Sequence, residues 1–89
     1  MALERPKLAT GVRLHRDKVR EQDVLLFAEG ALVLNDTALE VLGLVDGERT
    51  LDDIAAVLSE RYDGADVRDD VAELLAGIGE RGLVVDADA

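Results

Sequence analysis

The stretch Leu32–Leu58, LVLNDTALEVLGLVDGERTLDDIAAVL, leaves the chain few ways to fold. A short apolar run, Ala31-Leu32-Val33-Leu34, ends at Asn35, whose side-chain oxygen can accept from a free backbone N–H and so start a helix. Thr37 and Glu40 stand at capping-box spacing and offer a second start two residues later. Val41, Leu42, Leu44 and Val45 recur at helical spacing until Asp46-Gly47, where glycine can take a left-handed turn at little cost. Thr50 can then cap a second helix with Leu51, Ile54, Ala55 and Leu58 on one stripe. The segment reads as strand, helix, tight turn, helix.

Upstream, Gly11-Val12-Arg13-Leu14-His15-Arg16 alternates apolar and polar residues, the mark of a strand with one buried face. Val12 and Leu14 should face inward, Arg13 and His15 outward. Asp17–Gln22 is charged and lacks an Asn-Gly signal, so a loop is expected there rather than a two-residue turn. Val24-Leu25-Leu26-Phe27 suits a strand covered on both faces, Glu29-Gly30 the next turn, and residues 31–34 a third strand. Three such strands in a row predict an antiparallel meander with the last strand at an edge. Residues 1–10, with mixed charge and Pro6, read as a poorly ordered lead-in.

Downstream, Arg61-Tyr62-Asp63-Gly64 reads as a loop, and Asp66 can cap a third helix. Val67, Val71, Leu74, Leu75 and Ile78 then form its apolar stripe. Gly82 ends it, and Leu83-Val84-Val85 suits a short strand or packing arm. At 89 residues the chain is expected to be one domain, 1–89, with an ordered core of about 7–85. Phe27 and Tyr62 are its two aromatic residues, so the core must be aliphatic.

Several chemistries are disfavoured. Without cysteine there is no disulfide, thiolate metal site or cysteine nucleophile. His15 sits on the polar face of a strand beside Arg13 and Arg16, and the lone serine, Ser59, lies within a helix, so no nucleophile and base are brought together. Asp63-Gly64-Ala65-Asp66 invites a calcium reading, but Ala65 and Arg68 occupy positions where a calcium loop wants an oxygen ligand and glycine. Asp52 and Asp53 suit the first turn of a helix, where carboxylates complement the dipole. No cofactor, metal or catalytic residue is expected. Nor is a membrane span or signal peptide visible, which makes a cytoplasmic protein the default.

Charge narrows the partners. Of the net −10, residues 46–89 hold −9, which repels phosphate backbones. A winged-helix DNA-binding regulator would read bases with residues 66–81, which carry Asp66, Asp69, Asp70, Glu73 and Glu80 against Arg68 and Arg81. That disfavours nucleic acid. The acidic third helix is either a solvated face or a guide for a basic partner. The apolar edge strand is likewise open to two readings. It fills the core, or an extended peptide pairs with its backbone by β-augmentation. A second copy could use the same edge, so a homodimer stays open.

The run Leu34-Asn35-Asp36-Thr37-Ala38, the turn Asp46-Gly47-x-x-Thr50 and the spacing Ile54…Leu58…Tyr62 together resemble the coenzyme PQQ synthesis protein D (PqqD) family, whose members are also called RiPP recognition elements. The likeness runs from Pro6-Lys7-Leu8 to Gly82-Leu83-Val84. It implies an α+β fold: a three-stranded antiparallel β-meander followed by a three-helix bundle, winged-helix-like. It also implies a peptide chaperone in pyrroloquinoline quinone biosynthesis that binds the precursor peptide PqqA and presents it to the radical S-adenosylmethionine enzyme PqqE, catalysing nothing itself. The peptide would lie between Ala31, Leu32, Val33 and Leu34 of the third strand and Val67, Asp70, Val71, Leu74 and Leu75 of the third helix. Domains of this shape also serve other modified-peptide pathways. An adaptor that binds a folded partner in the same groove is a further alternative.

Overall fold

The structure is a computed structural model and describes residues 3–87. Its central sheet has the order β2 (Arg13–Asp17), β3 (Gln22–Phe27), β4 (Gly30–Leu34), antiparallel throughout. Residues 18–21 form the first connection, closed by the Asp17 carboxylate, which accepts from the backbone N–H of Val19 (3.1 Å) and Arg20 (3.2 Å). The second is tighter than expected. Ala28 and Glu29 make the turn, and Gly30, at φ +154°, is already the first residue of β4, facing Phe27. Glycine tolerates that backbone angle because it has no Cβ.

The sheet's inner face is the cross-strand row Leu14, Leu25 and Leu32. Leu25 is fully buried, while Val12, Leu14 and Leu32 pack partly buried against the same core. Arg13 and His15 are exposed on the outer face, as the alternation requires. Of the run expected to be covered on both faces, Leu25 belongs to the main core and Phe27 packs partly buried against it. Val24 is buried on the outer face between its register neighbours His15 and Val33, without a second layer of helices.

Asn35 caps α1 (Asp36–Leu42), its Oδ1 accepting from Ala38 N–H at 2.8 Å, so the first of the two candidate starts is used. The helix stops earlier than its apolar spacing suggested, at Leu42 with Gly43 as C-cap. Gly43 is a poor helix residue, and Asp46 is taken up in an antiparallel bridge with Lys7. Leu44 and Val45 are still buried. Gly47, at φ +80°, donates to the Pro6 carbonyl at 2.9 Å. Thr50 caps α2 (Leu51–Arg61) within a full capping box: Thr50 Oγ1 accepts from Asp53 N–H (3.1 Å) and Asp53 Oδ2 accepts from Thr50 N–H (3.0 Å).

The third helix begins later than expected. α3 spans Arg68–Glu80, with Val67 at the N-cap and no side-chain cap; Asp66 instead accepts from Arg68 N–H at 3.3 Å. Two left-handed residues, Asp63 (φ 58°) and Gly64 (φ 84°), prolong the turn after α2, and the bond from Gly64 N–H to the Ser59 carbonyl (2.7 Å) closes it. The helical path therefore resumes two residues past Asp66.

The lead-in is ordered from Pro6, contrary to expectation. β1 (Pro6–Leu8) pairs antiparallel with β5 (Val84–Asp86) as a separate two-stranded sheet, and Pro6 is among the most buried residues. Proline fits because the strand is short and at an edge, and its missing N–H breaks no ladder. β1, and β5 through it, are thereby fastened beside the α1–α2 turn. Leu25, Val41, Leu42, Ile54, Leu58, Val71, Leu75, Ile78 and Val84 form one aliphatic core between the sheets and the helices.

Candidate functional site

The free edge of β4 is the first element of the site. A two-residue turn closes on a hydrogen-bonded pair, here Phe27 and Gly30, and bonded and non-bonded pairs then alternate. Leu25↔Leu32 and Asp23↔Leu34 are bonded pairs, while Leu26↔Ala31 and Val24↔Val33 are not. The N–H and C=O of Ala31 and Val33 therefore point away from β3. The other hairpin agrees. Its closing pair, Asp17↔Gln22, has the opposite parity on β3 and so bonds toward β2. Along this edge Ala31 is exposed and Val33 is 58% exposed, Leu32 is half-buried, and Leu34 is buried.

Beyond the end of β4 lies a cleft of about 140 Å3 between the three helices. α1 contributes Thr37, Ala38 and Val41; α2 contributes Leu58 and, at its C-cap, Tyr62. Val67, Asp70, Val71 and Leu74 supply the α3 side, and Asn35, directly after β4, the remaining edge. Four of the five expected α3 residues thus meet in one cleft. Leu75 is 2% exposed and belongs to the core. None of the four β4 residues lines the cleft, which begins at Asn35, the residue directly after them. The sequence pattern did not mark Asn35, Thr37, Ala38, Val41, Leu58 or Tyr62 as lining residues. The one available signal was Tyr62, the lone tyrosine, in helical phase with Ile54 and Leu58.

Polar contacts join neighbouring helices around the cleft. The Tyr62 hydroxyl donates to Glu40 Oε2 at 3.0 Å, and Arg61 stands 3.9 Å from the same oxygen. That hydrogen bond, ahead of desolvation and the nearby negative charge, raises the Tyr62 phenol above its ordinary value. Arg68, at the start of α3, pairs with Asp52 of α2, and this hydrogen bond raises its guanidinium further. Elsewhere, His15 is exposed and remote in sequence from the cleft residues. Among the described residues, no group of three or more histidines or carboxylates stands close enough to hold a metal ion, and no helix is long and apolar enough to cross a membrane.

A small α+β domain that offers an unpaired strand edge leading to an apolar cleft has the form of a peptide-recognition module. Comparison with known proteins agrees with that class. The profile of the family Coenzyme PQQ synthesis protein D (PqqD) matches residues 23–84. The chain is 40% identical to the PqqD truncation of Methylobacterium extorquens PqqCD, a functional and stand-alone RiPP recognition element. That likeness covers 89% of this chain and 86% of the other at a TM-score of 0.75. PqqD from Xanthomonas campestris is 37% identical over 85% of this chain and 87% of its own, at a TM-score of 0.58. A PqqA binding protein of Rhizobium meliloti (strain 1021) is 53% identical over 36 residues, 40% of this chain; the match spans 37% of that relative's length. The chain belongs to the PqqD family.

Proposed function

We propose that this domain is a peptide chaperone of pyrroloquinoline quinone biosynthesis. It binds the ribosomally made precursor peptide PqqA and presents it to the radical S-adenosylmethionine enzyme PqqE, with no catalytic step of its own. The observation that carries this reading is the open β4 edge leading to the α1–α3 cleft, in a chain of the PqqD family. The name of the Rhizobium relative, a PqqA binding protein, supports the choice of ligand. In this reading the whole chain acts as one cytoplasmic domain of winged-helix-like arrangement. The peptide adds a strand beside Ala31, Leu32, Val33 and Leu34 and sets side chains against Val67, Asp70, Val71 and Leu74, with Leu75 backing them from the core. The bound peptide occupies the edge that a second copy would need, so peptide and self-pairing compete.

Calorimetric titration with synthetic PqqA, followed by amide shift mapping, tests the reading. Saturable binding with shifts concentrated on residues 31–34 and 67–75 is the expected result. Absence of binding would remove PqqA as ligand and turn the search to other modified-peptide precursors.

A further inference from the structure

The open side of α3 carries one residue that core packing does not explain. Val71, Leu75 and Ile78, four and three residues apart, are buried. Val67 and Leu74 flank that stripe half-exposed, and Asp70 stands between them on the same ridge, three residues after one and four before the other. A carboxylate thus interrupts an otherwise apolar ridge where the ridge meets the cleft.

The exposed Asp70 carboxylate has no ion pair or hydrogen bond among the described residues. The two arginines closest to it in the chain are committed elsewhere, Arg61 toward Glu40 and Arg68 to Asp52. The approach along β4 brings no cation either. The strand itself is uncharged, Glu29 precedes it, Asp36 follows Asn35, and α3 adds Asp69 and Glu73. A ligand entering from β4 meets apolar walls and unpaired negative charge.

Those two features together select one kind of side chain. The space, about 140 Å3, is close to the roughly 150 Å3 of an apolar cavity that admits benzene, so it takes one side chain. A purely aliphatic side chain would match the walls but strip water from Asp70 with nothing opposite it. An acidic one would be repelled. Lysine and arginine carry an unbranched apolar stem with a cation at its end, and such residues lay the stem on apolar surface while the head stays at a polar rim. We infer that the cleft receives a lysine or arginine of the peptide paired along β4, the stem against the half-exposed Val67 and Leu74 and the cation at the Asp70 carboxylate. This assignment rests on the strand-pairing reading above and adds to it a specificity-determining residue and the chemistry it selects.

The test is a binding cycle on the intact protein with synthetic PqqA as the probe. Each lysine and arginine of the peptide is replaced in turn by norleucine, which keeps the stem and removes the charge. Every peptide is titrated into the wild-type protein and into Asp70→Asn, whose fold is checked by its thermal unfolding. The expected result is one peptide position at which norleucine weakens binding to the wild type by roughly tenfold, as fits a charge-assisted contact, and by about twofold or less to Asp70→Asn. The same wild-type pair should lose most of that difference at high salt. Tight binding in which no cationic position matters, or in which norleucine costs the same in both proteins, overturns the lysine or arginine assignment and leaves strand pairing standing. If PqqA does not bind the wild type at all, both fall.

Discussion

Proline at position 33 separates the free edge of β4 from its ladder. Val33 is 58% exposed and opposes Val24 in a non-bonded pair, so its N–H faces solvent. Val33→Pro removes no bond of the folded sheet, and edge positions tolerate proline; the expected loss of stability is about 1 kcal/mol or less. The residue before a proline is pushed toward extended backbone, which Leu32 already has. A peptide paired to this edge would exchange two bonds with Val33, one with its N–H and one with its C=O. Losing the first and distorting the second, at about 0.5–1.5 kcal/mol each, gives about 1–3 kcal/mol, or a Kd weaker by about fivefold to a hundredfold. The matched control is Leu32→Pro, one residue away. Its N–H belongs to the bonded pair with Leu25, and its side chain packs on the core, so that change should cost about 3 kcal/mol or more in folding. Calorimetry against synthetic PqqA measures the first quantity, and urea unfolding measures both stabilities. A folded Val33→Pro protein with parental affinity would refute pairing through this edge. Greater destabilisation by Val33→Pro than by Leu32→Pro would refute the register.

Thr50→Ala deletes the hydroxyl that accepts from Asp53 N–H and should lower stability by about 1 kcal/mol in urea unfolding. Acid should act on the same turn. Asp53 is held below its ordinary value of 3.8 chiefly by the hydrogen bond from the Thr50 backbone, and Asp46 by those from the Arg49 and Glu48 backbones. A carboxyl depressed in the folded state contributes stability that is present above 3.8 and lost as pH falls through its lower folded value. In a carbon-detected pH titration both should protonate below their ordinary value of 3.8; protonation at or above that value would contradict the turn geometry. Removing residues 1–8 takes away β1 and buried Pro6, leaves β5 unpaired, and should lower the urea midpoint, although the central meander and all three helices remain in the chain. An unchanged midpoint would mean that the β1–β5 sheet contributes nothing.

What could be read without coordinates was local. Asn35 and Thr50 announce their helices because a capping bond spans three residues. The alternation of Val12 to His15 places the inner face of β2, since side chains on a strand change sides at every residue. The ordered motifs sufficed to suggest the PqqD family, and the acidic second half argued against nucleic acid from charge alone. Tertiary structure decided what depends on residues far apart in the chain. Pro6 looked like a loose end because its partners, Val84 to Asp86, lie near the other terminus, and no local pattern encodes such a pairing. The end of α1 at Leu42 follows partly from the bridge between Asp46 and Lys7, again a pairing between residues far apart in the chain. The apolar stripe of α3 shows which residues avoid water but not what each one meets. Only packing sends Leu75 into the core, leaves Leu74 and Asp70 at the cleft, and brings Tyr62 round to line it, because burial is set jointly by three helices and the strand edge.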